Sequence, residues 1–386
     1  MLKNILTKIA HWQTDHPKVM MTIILLFTIV MAIGMPNLKV QSDFSKESPR
    51  QLPAYVLTDR INDEFGGENA VVLLFEVENS DENKLIDLKS PEIFNSLSQI
   101  ETVLKTDSRV IKTSSIGGIT APYNIQSKEQ INYMFKKVPE LNGLFSEDSR
   151  MTILTITTSI GGSYEEVVPF LEMVDEKIKS VGLPGGVKYT ATGGPPFGKV
   201  VQDTVFSDAL KTMIMASIGI FLLLYFTEKS LKKAILIFVP LIFALIWTIG
   251  IIGFIGDKIS IASVALSSII LGLGVEYGVF MLTRYNEERK INKLKQRKAN
   301  ENTVVNIGTA LLSSGTTTVA GFLALTFSIS PTMQGLGLNL GIGITSCILT
   351  AIFVAPLLIV LEENWEKFEL NKILDKKNKR REFLNN

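Results

Sequence analysis

One glutamate stands inside a glycine-rich apolar run, Gly272-Leu273-Gly274-Val275-Glu276-Tyr277-Gly278, and it reads as the sole carboxylate within the candidate spans of the chain. A charge at bilayer depth costs at least about 2.5 kcal/mol on the gentlest scales, so such a residue implies a task unless it lies near the cytoplasmic interface, a turn or two before Arg284. The chemistry open to a carboxyl in apolar surroundings is proton exchange, with Tyr277 either as a hydroxyl partner or as an aromatic of the interface belt. Helical spacing puts Ser268, Gly272 and Glu276 on one stripe that continues to Phe280. Gly272, Gly274 and Gly278 would let another helix approach closely. The next apolar segment carries a second polar stripe, Asn306, Thr309, Ser313 and Thr317, leading to Gly321, with Ser314, Thr316 and Thr318 beside it. Hydroxyls so spaced serve either as ordinary hydrogen-bonding groups between helices or as a polar stripe supporting the carboxyl.

Other chemistries find less support. Gly193-Gly194-Pro195-Pro196-Phe197-Gly198-Lys199-Val200 nearly fits a phosphate-binding P-loop between a strand and a helix. Val200, however, stands where a Ser/Thr hydroxyl would hold magnesium. Two prolines remove N–H donors from the cradle, and a rigid turn into the following helix is the better reading. Only His11 and His16 are present, both near the N-terminus, and Cys347 is the single cysteine. A metal site, a cysteine framework and a Ser–His–Asp triad are therefore not expected, nor is any cofactor or enzymatic activity. The net charge of +1 gives no global field toward nucleic acid.

The elements that must hold Glu276 are membrane spans. The chain is 46% apolar, and a spanning helix needs roughly 20 mostly apolar residues. Six segments qualify: Val19–Pro36, Phe206–Phe226, Ala234–Ile255, Ile259–Leu282, Thr303–Phe327 and Gly335–Leu361. The first is read as retained, since Met35-Pro36 offers no small-x-small cleavage site. Basic residues mark orientation. Lys3, Lys8 and Lys18 precede the first span, Lys229, Lys232 and Lys233 follow the second, and a run from Arg284 to Lys298 follows the fourth. Lys372, Lys376, Lys377, Lys379, Arg380 and Arg381 close the chain, whereas the intervening loops Gly256–Lys258 and Ser328–Gln334 hold one lysine. All basic segments fall on one side if every span crosses, which makes both termini cytoplasmic.

Residues 37–205 then lie outside. Asn69–Glu78, Arg109–Ile116, Arg150–Ser159 and Val187–Thr192 read as strands; Pro91–Lys105, Lys128–Val138 and Tyr164–Val181 read as helices. The expected architecture is an α-helical membrane protein with six transmembrane helices in a 1+5 arrangement and an inserted extracytoplasmic α+β domain of ferredoxin-like, split βαβ character. Its parts are residues 1–36 (N-terminus and first span), 37–205 (the porter-like domain), 206–361 (five spans) and 362–386 (a basic tail).

The order of elements and the wording of the helices resemble one half of a transporter of the resistance–nodulation–division (RND) superfamily. The run from Gly272 to Gly278, continuing to Arg284-Tyr285-Asn286-Glu287-Glu288, is similar to the fourth-helix signature of the hydrophobe/amphiphile exporters, the MmpL-like branch. In that branch aspartate usually stands where Glu276 does. Thr316 to Leu325 resembles the fifth helix, and Gly335-Leu336-Gly337 through Pro356-Leu357-Leu358 the sixth. The resemblance implies proton-coupled export of hydrophobic or amphiphilic molecules, often lipids, at the cell membrane. It implies that Glu276 carries the proton with Tyr277 as partner.

Most members of that branch are fused doubles, whereas this chain holds one half. The expectation is a twofold homodimer in which Glu276 of each copy meets Tyr277 of the other, with Cys347 as a crosslinking handle. Two other functions stay open: a protein-translocation accessory subunit of the same superfamily, and a lipid- or sterol-sensing protein that does not transport.

Overall fold

The computed structural model describes residues 1–40, 48–65, 70–78, 87–123, 125–256, 258–260, 263 and 265–385. The chain divides into two units, Met1–Val40 with Val205–Asn386, and Gln41–Thr204.

The first unit opens with two helices, α1 (Leu2–Asp15) and α2 (Pro17–Gly34). Pro17 lacks the N–H that would continue α1 but suits the first turn of α2, so the helix breaks at His16. The N-terminal basic stretch is thus a helix of its own, which the pattern of apolar runs did not reveal. A short strand, β1 (Lys39–Val40), follows.

The second unit contains α3 (Pro53–Phe65), β2 (Ala70–Val77), α4 (Pro91–Leu104), β3 (Val110–Ser115), α5 (Ile116–Thr120), α6 (Lys128–Lys137), β4 (Met151–Thr158), α7 (Tyr164–Val181) and β5 (Val187–Gly193). Each strand and helix expected here from sequence is present to within one residue at either end; of the strand expected over Asn69–Glu78, position 69 lies outside the described residues. The four strands form one antiparallel sheet in the order β3-β4-β2-β5. Strand alternation explains the register: Val71, Leu73, Phe75 and Val77 point inward, and Leu73 lies opposite Leu154 and Ala191. Helix α4 presents Ile93, Leu97, Ile100 and Leu104 to this core, and α7 presents Val167, Phe170, Val174 and Ile178. Each such side chain fully buried contributes roughly 1.5–3 kcal/mol.

One charged group lies in that core. Glu101 is 3% exposed, accepts hydrogen bonds from Thr113 Oγ1 (2.8 Å) and Ser115 Oγ (2.5 Å), and lies 3.4 Å from Lys105 Nζ. It ties α4 to β3, and Ser115 in turn caps α5 by accepting from Gly118 N.

Helix α8 (Gly194–Glu228) starts in the second unit and enters the first at Val205, and the first unit continues with α9 (Leu231–Ile255), β6 (Lys258–Ile259), α10 (Leu266–Lys290), α11 (Gln296–Leu323), α12 (Pro331–Phe353) and α13 (Ala355–Asn385). Six stretches are long and apolar enough to cross a membrane: Pro17–Asn37, Gly194–Glu228, Leu231–Ile255, Leu266–Lys290, Gln296–Phe327 and Pro331–Ile373. Three expectations need correction. The segment Gly193–Val200 is not a loop of any kind. Gly193, at φ +104°, closes β5 where a Cβ would strike the Ala70 carbonyl, and Gly194 already belongs to α8. Pro195 and Pro196 fall in the first turn, where no N–H is needed. The span expected over Ile259–Leu282 becomes helical only at Leu266, because β6 pairs in parallel with β1 through Lys39↔Lys258 and Val40↔Ile259; positions 261, 262 and 264 lie outside the described residues. Finally, Asp208 sits inside Phe206–Phe226, so Glu276 is not the sole carboxylate in a span; Asp208 is exposed, with Lys211 3.8 Å away.

Glycines set the closest helix crossing. A Cβ at Gly250 would strike the Met31 carbonyl and one at Gly253 the Gly34 carbonyl, so α2 and α9 touch backbone to backbone. Helix α1 is fastened differently. Gln13, fully buried, donates to the carbonyls of Ile352 (2.9 Å) and Phe353 (3.3 Å), and Asn300 donates to Ala10 O (3.1 Å) and Gln13 Oε1 (3.0 Å).

Two predictions concern the second unit. Glu101→Ala leaves two buried hydroxyls unpaired and should lower stability by about 2–4 kcal/mol, read as increased protease sensitivity of the full chain. Asp107 is held at about 2, well below the usual carboxylate range, chiefly by its hydrogen bond from Arg109. The stability this contributes is present above about pH 4 and lost as pH falls through about 2. Asp107→Asn should therefore flatten the acid limb of an unfolding curve, lowering stability at neutral pH while matching the wild type near pH 2.

Candidate functional site

Helix α10 has an inner and an outer face. Inward, Gly274 allows Leu241 and Cys347 to close in: a Cβ would lie 2.7 Å from Leu241 Cδ2 and 2.8 Å from Cys347 Sγ. One turn later a Cβ at Gly278 would lie 3.0 Å from Ile237 Cγ2. These two glycines set the approach of α9 and α12. Outward, Gly272 and Glu276 are exposed and Phe280 is half exposed, and a Cβ at Gly272 would meet nothing. Tyr277 lies between the faces, partly buried against apolar clusters that include Ile344, Ile348 and Cys347. Ser268 is partly buried at the start of the same helix.

Helix α11 repeats the division. Gly308, Leu311 and Gly315 face inward, where Cβ atoms on Gly308 and Gly315 would meet Leu6 and Ile348. Asn306, Ser313, Thr317 and Gly321 face out, with open space around Gly321. The stripe's threonines satisfy their own hydroxyls within the helix: Thr309 donates to Val305 O (2.5 Å), Thr316 to Leu312 O (2.5 Å) and Thr317 to Ser314 O (2.6 Å). Among the described residues, no hydrogen bond or ion pair joins Glu276 to Tyr277 or to the α11 stripe. One chain thus places a carboxyl, an amide and several hydroxyls on the outer surface of two adjoining spans.

Cys347 is correspondingly unsuited to crosslinking two copies. It is 2% exposed, packed against Gly274, with Sγ 3.8 Å from Ile270 O.

The end of α10 holds groups that sequence reasoning took only as basic flanks. Glu288 is 1% exposed and accepts from Arg284 Nη2 (2.6 Å), Asn292 Nδ2 (3.0 Å) and Asn302 Nδ2 (3.3 Å). Arg289 Nη2 donates to Glu363 Oε1 at 2.5 Å, and Tyr285 donates to Glu363 Oε2 at 2.5 Å. Lys232 bridges Glu362 and Glu366, and Lys233 pairs with Glu228. Much of the local positive charge is therefore matched by carboxylates that lock α9, α10 and α13 together. The spacing Arg284-x-x-x-Glu288 was the available signal. In the tail, the side chains of Lys376, Lys377, Lys379, Arg380 and Arg381 lie outside the described residues.

Comparison with known proteins follows the same outline. Residues 48–383 match the family described as the MMPL family. The chain is 31% identical over 370 residues to a membrane protein of Methanocaldococcus jannaschii, covering 94% of this chain and 95% of that one. It is 26% identical to the transport protein MmpL1 of Mycobacterium tuberculosis, over 59% of this chain but 24% of that protein. It is 27% identical to the hopanoid transporter HpnN of Rhodopseudomonas palustris, over 46% of this chain and 20% of that protein.

The two kinds of glycine should separate in a thermal melt. Gly274→Val forces apart α10, α9 and α12 and should lower stability by about 1–3 kcal/mol as overpacking does. Gly272→Ala and Gly321→Ala meet open space and should leave the melting temperature of the single chain unchanged.

Proposed function

Because the chain belongs to the MMPL family of the RND superfamily, we propose that it is a proton-driven transporter of hydrophobic or amphiphilic molecules, working as a twofold homodimer of half-transporters. The observation that carries this reading is the exposed polar surface on α10 and α11, with Glu276 at its centre. Lipid tails solvate neither a carboxyl nor an amide, so this face calls for protein or water against it. A second copy related by a twofold axis supplies the same surface in return, and the open space at Gly272 and Gly321 suits a close helix approach.

In this reading Glu276 takes up a proton from one side and releases it to the other, with Tyr277 of the facing copy as its hydrogen-bond partner. Moving one charge through 100 mV is worth about 2.3 kcal/mol, enough to bias two arrangements of the helices. Ser268, Asn306, Ser313 and Thr317 line the same interface and satisfy the carboxyl in its two states. No metal or cofactor enters the cycle.

The α2 span followed, after the inserted unit, by five further spans is read as the 1+5 arrangement of a half-transporter. The order β2-α4-β3, then β4-α7-β5, with the sheet order β3-β4-β2-β5, suits a ferredoxin-like, split βαβ domain. We assign residues 37–205 to the extracytoplasmic side as the porter domain, with 1–36 and 206–361 forming the part in the cell membrane, 362–386 a basic cytoplasmic tail, and both termini in the cytoplasm. The substrate class is a lipid or lipid-like amphiphile, a reading supported by the transport proteins among its relatives and by HpnN, a hopanoid transporter.

Glu276→Gln keeps the shape and removes the exchangeable proton. It should abolish proton-coupled transport of a fluorescent lipid in proteoliposomes while the melting temperature stays within error; undiminished transport would refute the proton role. For the dimer, Thr317→Cys in a Cys347→Ala background should crosslink into a species of twice the mass in native membranes. A strictly monomeric product would overturn the twofold arrangement.

A further inference from the structure

The span Pro331–Ile373, which α12 opens, is the most enclosed of the six. Its interior is not uniformly apolar. Asn339 is fully buried, and neither its amide nitrogen nor its amide oxygen has a hydrogen-bond partner among the described residues. Ser346 and Thr350, 2% and 1% exposed, follow at seven and eleven residues, a spacing that returns to the same helix face. Gly343, on that face, is covered by Ile270 of α10, whose Cδ1 a Cβ would strike, with Thr248 Cγ2 of α9 beyond it at 3.6 Å. The hydroxyls of Thr248, Ser346 and Thr350 donate to carbonyls of their own helices, so their oxygens remain free to accept. The Gln13–Asn300 pair, which fastens α1 to the end of α12 through Ile352 O, contributes a second buried amide oxygen without a partner, Asn300 Oδ1.

An amide desolvated without a partner costs roughly 2–7 kcal/mol, and native interiors relieve such groups with ordered water. We infer that Asn339 holds buried water, and that the Asn339–Ser346–Thr350 face is a hydrated track about 16 Å long inside the bundle, along which protons cross the membrane part of the chain. Each hop passes a proton from one water to the next along a hydrogen bond. The amide and hydroxyls orient the waters and neither gain nor lose a proton overall. Tyr277, the neighbour of Glu276 in sequence, packs against the apolar cluster that contains Cys347 of α12. The hydration is independent of the proposed function, whereas the proton traffic rests on it.

The test uses the full chain, with two readouts. Hydroxyl-radical footprinting by water radiolysis should label the buried segment 339–350, Cys347 included, in the wild type and lose that label in Asn339→Leu. In proteoliposomes under a pH gradient, Asn339→Leu should cut proton flux at least about tenfold with an unchanged or raised melting temperature, while Asn339→Ser retains flux. An unlabelled wild-type segment, or wild-type flux in Asn339→Leu, overturns the inference. So does a marked fall in the melting temperature of Asn339→Leu, since it would reveal a structural partner. If the wild type carries no flux but its label depends on Asn339, the proton-driven function fails and the hydrated track stands.

Discussion

Everything in the membrane part answers to one constraint: a polar group in hydrocarbon must find a partner or carry a cost. Three solutions recur along the chain. Thr309, Thr316 and Thr317 return their hydroxyl protons to their own helix. Gln13, Asn300 and Glu288 are matched across helices, by Ile352 O, Gln13 Oε1 and Asn302 Nδ2 in turn. Glu276, Asn306 and Ser313 are left on the outside, and it is this third group that turns a bundle of helices into a candidate machine. Interior glycines make the arrangement possible, because they let α2 meet α9, and α10 meet α9 and α12, at close van der Waals contact.

The sequence spoke clearly wherever one periodicity dominated. Alternation in Val71-Val72-Leu73-Leu74-Phe75 was blurred by β-branched and aliphatic residues on both faces, yet the flanking polar runs bounded the strand correctly. Tyr164–Val181 was legible to the residue, since Val167, Phe170, Val174 and Ile178 keep helical spacing between Ser163 and Gly182. The helical wheel also put Gly272 with Glu276 and Asn306 with Thr317. It could not say which face would find neighbours within the chain, and four glycines named together parted into two that are packed and two that are open.

Other features were hidden for physical reasons. Helix α1 has too little hydrophobicity to register as a span, and its anchoring depends on Gln13 meeting residues far along the chain. The start of α8 was masked by Gly-Gly-Pro-Pro, residues that break helices in the middle yet fit a first turn. Asn339 vanished among glycines and leucines because window averages cannot see one amide. Only its complete burial and the lack of a partner among the described residues set it apart.

The clasp between α1 and the rest of the bundle also bears on how the chain is assembled. Gln13 and Asn300 are 287 residues apart. At translation rates of about 5–20 residues per second, the first helix leaves the ribosome tens of seconds before its partner exists. Through that interval its Gln13 amide must be satisfied by water or lipid headgroups. Its docking onto α11 and the end of α12 is then a late step in biogenesis, a latch that closes only on a completed bundle.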